Sequence, residues 1–187
     1  MLSDNDIKRV IKEGKLKIEP FSEDQLKPAA ISLHLGFNFL KPISSVTIDP
    51  LSDIPEDIYQ RISLEENENY VLKPNEFILG ETLEKVGISR NLGFLVEGTS
   101  TMARLGIEVV QTAMIVDTGV GFPRPRKITL EIKNNGPNPV VLHPKMRIAK
   151  ALVFRLNTPS SYAYDDKRKY KEQMGVGIPK ATKIKGE

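Results

Sequence analysis

The chain contains no cysteine and no tryptophan, and its 187 residues include only two histidines, His34 and His143. Without thiols there is no disulfide framework and no thiol nucleophile, and two isolated histidines do not make the common Cys/His zinc sets. Chemistry is left to carboxylates, hydroxyls and water. Charge of neither sign dominates, because 27 basic residues face 24 acidic ones, for a net +3 and a pI near 9.0. Such a balance does not supply the concentrated basic face that nucleic acids need, so no nucleic-acid partner is expected. No apolar run approaches the length of a membrane span, and the start MLSDNDIKRV carries charges where a signal peptide needs an apolar core. Cytoplasmic localisation without a membrane partner is expected. Absent Cys and Trp, 13 prolines and abundant Lys and Glu point to a thermophilic source.

What is present suffices for one sizeable core, since 40% of the residues are hydrophobic and the length is short for two domains. The first residues read as a helix: Ser3 can cap it, Asp6 follows three residues later, and Ile7, Val10 and Ile11 fall on one face before Gly14. From Lys15 to about Leu156 the pattern changes to short β-branched or alternating runs divided by Pro, Gly and Asn: ISLHLG, VTID, YVLKPNEFILG, GFLVEG, GIEVVQTAMIVD, KITLEIKN and PVVLHPKMRIAKALVFRL. Many short strands predict a mainly β sandwich, jelly roll or distorted barrel. PEDIYQRISLEENENY holds the one plausible helical turn of this region. After Leu156 the chain turns polar and tyrosine-bearing, and reads either as a solvated tail or as a segment that folds over a ligand.

Two stretches carry chemistry. EGTSTMARLG, residues 97–106, sets small hydroxyl side chains at the opening of a short helix. Free backbone N–H groups and the helix dipole there suit phosphate, and Arg104 can add a charge-assisted bond, although an N-capped surface turn accounts for the same residues. In ITLEI, residues 128–132, alternation puts Glu131 on the face of Thr129 and opposite Leu130. A solvent-facing glutamate on a half-exposed strand is the plain alternative.

Taken together, these motifs resemble those of the dCTP deaminases, which share a trimeric β-fold with the dUTPases. MLSDNDIKRVIKEGKLKIEPF with the later LKPAAISLHLG resembles the amino-terminal signature of that family, and EGTSTMARLG its phosphate motif. QTAMIVD resembles its TA-containing turn, ITLEI its catalytic strand and YAYDDKRKYKEQ its nucleotide-closing tail. The resemblance implies a distorted jelly-roll or dUTPase-like β-barrel with a short N-terminal helix. It further implies a single domain over residues 1–187, of which 157–187 form the closing tail. Ser100, Thr101 and Arg104, with the backbone from Thr99 through Met102 to Ala103, would hold the triphosphate. Asp117 would meet the deoxyribose or a water beside it, and Ala113 would leave room for the base amino group. Thr129 and Leu130 would run alongside the base, with Glu131 as the proton shuttle. Tyr162, Lys169 and Gln173 would close over the nucleotide, so the tail is expected to be mobile without nucleotide and ordered with it. Mg²⁺ would ride on the triphosphate with no protein metal site, and a homotrimer would build its sites between subunits.

Some residues depart from the family pattern. Thr99 stands where a basic residue is usual, and TGVGFPRPRKITL after Asp117 is several residues longer than expected. Arg124 or Arg126 in that insertion could replace the missing cation, but an exposed Pro-Arg loop is the simpler expectation. Ser32 and His34 occupy positions where Asp and Arg are expected, and His34 reads as a structural residue. The foremost function is deamination of dCTP to dUTP and ammonia. A bifunctional deaminase/dUTP diphosphatase, or a pure diphosphatase with Asp117 activating water, is the alternative, and an inactive nucleotide-binding homologue is a third.

Overall fold

The computed structural model describes residues 1–167 and 169–183. Residue 168 and residues 184–187 of the expected tail lie outside the described residues. Helix α1 spans Asp4–Lys12 because Ser3 accepts from the Asp6 amide, while Ile7 and Val10 bury the inward face. Gly14 supplies the left-handed residue (φ 69°) that ends it.

Among the described residues thirteen strands follow, in three sheets of antiparallel pairs. The first sheet runs β5 (Tyr59–Ser63), β4 (Asn38–Pro42), β7 (Phe77–Ile88), β11 (Arg126–Asn134) and β9 (Ile107–Glu108), with β1 (Leu16–Glu19) also paired to β7. The second runs β10 (Ile115–Val116), β8 (Leu92–Gly98), β13 (Arg147–Arg155), β3 (Ala30–His34) and β2 (Leu26–Lys27). A small sheet pairs β12 (Val140–Leu142) with β6 (Tyr70–Leu72). One apolar cluster draws on both large sheets: Phe39, Ile78, Leu130 and Ile132 from the first, Ile31, Leu33, Phe94 and Val153 from the second, all nearly fully buried. Alternation thus sends one face of each strand to the core and frees the other. The architecture is mainly β, as expected, but among the described residues the sheets do not close into a barrel.

Two local expectations change. VTID forms no strand: residues 43–49 are irregular, with Val46 and Ile48 exposed. Ser44 Oγ accepts from the Val46 amide and Asp49 Oδ1 from the Leu51 amide, so side chains take backbone donors that a strand would need. PEDIYQRIS does hold its helical turn, a 3₁₀ turn at Glu56–Ile58 from which the chain enters β5, but it is not alone in the region, since Glu23–Gln25 forms another. His34 is structural, with Nδ1 2.6 Å from Glu84 Oε1, an oxygen that also accepts from Gln25 Nε2 at 2.8 Å. No helix among the described residues is long and apolar enough to cross a membrane.

Candidate active site

Strand β11 forms the back wall of a cavity of about 490 Å³. Its pairing with β7 shifts register between Lys127 and Thr129, and the strand then turns Thr129 and Glu131 toward the cavity while Leu130 enters the core. Ala113 and Asp117 form one side, at the ends of the irregular stretch around β10. Phe77, Leu79 and Tyr59 supply an apolar surface, and Tyr164, Tyr170 and Gln173 of the tail form the remaining side.

Burial pushes the carboxyl of Glu131 up to about 7, against a weaker downward pull from a backbone hydrogen bond. A carboxyl poised there can take or give a proton near neutrality. Beside it the Thr129 hydroxyl accepts from Gln173 Nε2 at 2.7 Å, and the same amide donates to the Gly175 carbonyl at 2.8 Å. Of the residues singled out from sequence, the chain therefore brings Ala113, Asp117, Thr129, Glu131 and Gln173 to one cavity.

The phosphate motif lies elsewhere. Thr99 caps α2 (Ser100–Arg104), accepting from the Met102 amide at 3.3 Å. Ser100, Thr101, Ala103 and Arg104 are exposed, Met102 is buried in the core, and none of these lines the cavity. Arg104 makes no salt bridge among the described residues. Tyr162 and Lys169 also stand off the cavity: Tyr162 is exposed, and Lys169 Nζ donates to the Lys180 carbonyl at 2.8 Å, lying 5.3 Å from the centre of the Tyr170 ring.

The insertion is not the exposed Pro-Arg loop expected. Arg124 is exposed, but Arg126 is only 5% exposed and begins β11. Its Nη2 donates to Asp165 Oδ1 at 2.6 Å, its Nη1 to the Tyr170 carbonyl, and its guanidinium lies 5.6 Å from the Tyr164 ring centre. Two of its donors thus go to the tail, while the residue also borders the cavity.

Sequence reasoning also passed over Glu81, and took Gln111 only as the first residue of QTAMIVD. Glu81, 2% exposed on β7, accepts from Asn38 Nδ2 (2.7 Å), Lys127 Nζ and the Val176 amide (2.9 Å), joining the sheet to the tail through one carboxylate. A glutamate inside the apolar run FILGETLE was the available signal. Gln111 holds a left-handed backbone (φ 45°) and buries its Nε2 without a hydrogen-bond partner in the described chain.

The fold is thus a mainly β scaffold with a near-neutral carboxyl on its cavity wall. Residues 1–156 match the dCTP deaminase-like family, and the chain belongs to that enzyme family. A dCTP deaminase, dUMP-forming, of Dictyoglomus thermophilum is 38% identical over 98% of this chain and 94% of its own. The dCTP deaminase of Natronomonas pharaonis is 39% identical over 100% of this chain and 96% of its own. Among solved structures, the 2'-deoxycytidine 5'-triphosphate deaminase of Agrobacterium tumefaciens aligns with a TM-score of 0.59 at 20% identity. The match covers 81% of this chain but 46% of that one, and it speaks to the fold.

Proposed function

We propose that the protein deaminates dCTP hydrolytically, with Glu131 as the proton shuttle. The observation that carries this reading is the carboxyl of Glu131, raised to about 7 on a cavity wall shared with Thr129, Ala113 and Gln173. In the proposed step Glu131 takes a proton from water as its oxygen attacks C4 of the base. It passes that proton to N3 of the ring, then takes the proton of the new C4 hydroxyl and gives it to the amino group, so the C4–N bond breaks, ammonia leaves and a C4 carbonyl remains. Ala113 leaves space at the amino group, while Thr129, oriented by Gln173, and the Leu130 backbone run beside the base.

Ser100, Thr101 and Arg104 are proposed to bind the triphosphate from a neighbouring copy, in a homotrimer whose sites lie between subunits. That these residues are exposed and do not line the chain's own cavity supports that assignment. Mg²⁺ is proposed to be held by phosphate oxygens and water, where it neutralises triphosphate charge. Tyr162 and Lys169 are proposed to reach the nucleotide when the tail closes, and the cytoplasm is the proposed setting.

A second reading concerns the product. Free dUTP was the expectation, but several relatives are named dUMP-forming, and Asp117 shares the cavity with Glu131, where it could activate water for diphosphate release. Incubating the pure protein with dCTP and Mg²⁺ while following ammonia, dUTP, dUMP and diphosphate separately tests both. Ammonia with dUTP supports deamination alone, ammonia with dUMP and diphosphate supports the bifunctional reading, and no ammonia refutes both.

A further inference from the structure

Residues 118–127, longer than the family pattern requires, do nothing for the cavity wall beyond Val120, Arg126 and Lys127, yet they meet the tail repeatedly. The Tyr164 amide donates to the Thr118 carbonyl at 2.9 Å. Gly119 packs so close to Ala163 that a Cβ on it would sit 2.4 Å from the alanine methyl. The Gly121 amide donates to Asp165 Oδ2 at 3.0 Å, while Arg126 holds Asp165 Oδ1 at 2.6 Å. Both oxygens of one tail carboxylate are therefore engaged by the insertion. The same guanidinium reaches past α3 (Tyr164–Lys167) to the Tyr170 carbonyl. From Tyr170 the chain needs three more residues to bring Gln173 to Thr129.

We propose that Arg126 and Asp165 form a clasp, seated on the insertion, that positions the tail so that Tyr170 and Gln173 stand on the cavity wall. Both are positioning residues for the deamination proposed above, and the inference rests on that reading for its kinetic consequence. The charge pairing explains why an arginine is buried at the start of β11: its side chain is only 6% exposed, and a buried cation without such a partner would be costly. The clasp needs no nucleotide, since every group in it belongs to the chain. It holds the tail's first turn in advance, leaving less of the segment to be ordered when substrate arrives, which lowers the entropic penalty of binding.

Asp165→Asn removes the charge from a partly exposed tail residue and leaves β11 intact. In nucleotide-free protein it is expected to speed trypsin cleavage after Lys169 and Lys171 by about tenfold. With dCTP it should raise KM by about tenfold, the effect of one charge-assisted bond, and change kcat by less than about threefold. Asp165→Glu, which keeps the carboxylate, should recover most of both losses. Wild-type cleavage and wild-type KM in Asp165→Asn would overturn the clasp, as would Asp165→Glu behaving no better than Asp165→Asn. Should the wild-type protein release no ammonia from dCTP, the activity reading falls, while the cleavage comparison still decides whether the clasp exists.

Discussion

Replacing Glu131 by Gln should make the protein more stable and nearly inactive, and the stability gain should depend on pH. The Glu131 carboxyl moves from an ordinary 4.5 to about 7, a rise of about 2.5. At about 1.36 kcal/mol per pH unit, holding the ionised form in the cavity costs the fold up to about 3 kcal/mol. The side chain is partly exposed, and solvent screening reduces this to about 1–2 kcal/mol. The sign follows from proton counting. Between about pH 4.5 and 7 the folded chain holds a proton that the unfolded chain has lost, so stability falls as pH rises through that window. The penalty is absent below it and complete above it. Gln removes the ionisation, so Glu131→Gln should gain about 1–2 kcal/mol at pH 8 and about a quarter of that at pH 5, or roughly 2–4 °C in Tm per kcal/mol for a chain of this size. Urea unfolding of both proteins at the two pH values, with ammonia release measured in parallel, makes the comparison. Deamination should fall at least about 10²-fold, the loss expected for an acid/base group. A stability difference that does not grow with pH would refute the burial argument, and near-normal turnover would refute the shuttle.

Arg104→Ala should weaken dCTP binding by about 1.5–3 kcal/mol and leave deoxycytidine almost unaffected; equal losses for both ligands would remove Arg104 from the triphosphate site. Truncation before Tyr162 removes Gln173 from Thr129 and should lower kcat/KM at least about tenfold, an expectation sunk by a truncated chain that deaminates at the full rate. Gln111→Gly relieves a left-handed backbone and an unpartnered amide, and should raise stability by about 0.5–1 kcal/mol in urea unfolding; a clear loss instead would show that the amide has a partner in the working assembly.

Much of this was legible along the chain because it is written in local patterns. Strand alternation alone put Thr129 and Glu131 on one face and Leu130 on the other, as the cavity and the core now divide them. The cap at Ser3 and the stop at Gly14 were equally local. VTID misled because its β-branched residues say nothing about whether a partner strand is available, and here Ser44 and Asp49 divert the backbone donors. The clasp was hidden for a different reason: Arg126 and Asp165 lie 39 residues apart, and neither pattern nor propensity couples positions at that distance. Glu81 shows the same limit, since its donors come from β4, β11 and the tail.

The separation of α2 from the cavity containing Glu131 has a consequence that can be counted. If each working site joins α2 of one copy to β11 of the next around a ring, then two chains damaged in different halves can repair one another. Glu131→Gln carries a sound α2, and Arg104→Ala carries a sound β11. Unfolded together in equal amounts and refolded, they should form mixed rings in which roughly a quarter of the sites draw both good halves, one half-chance multiplying the other. Assayed at dCTP far below the weakened KM of Arg104→Ala, where each preparation alone is nearly inactive, the jointly assembled rings would then yield about a quarter of the wild-type rate, with no gain when the two are mixed after assembly.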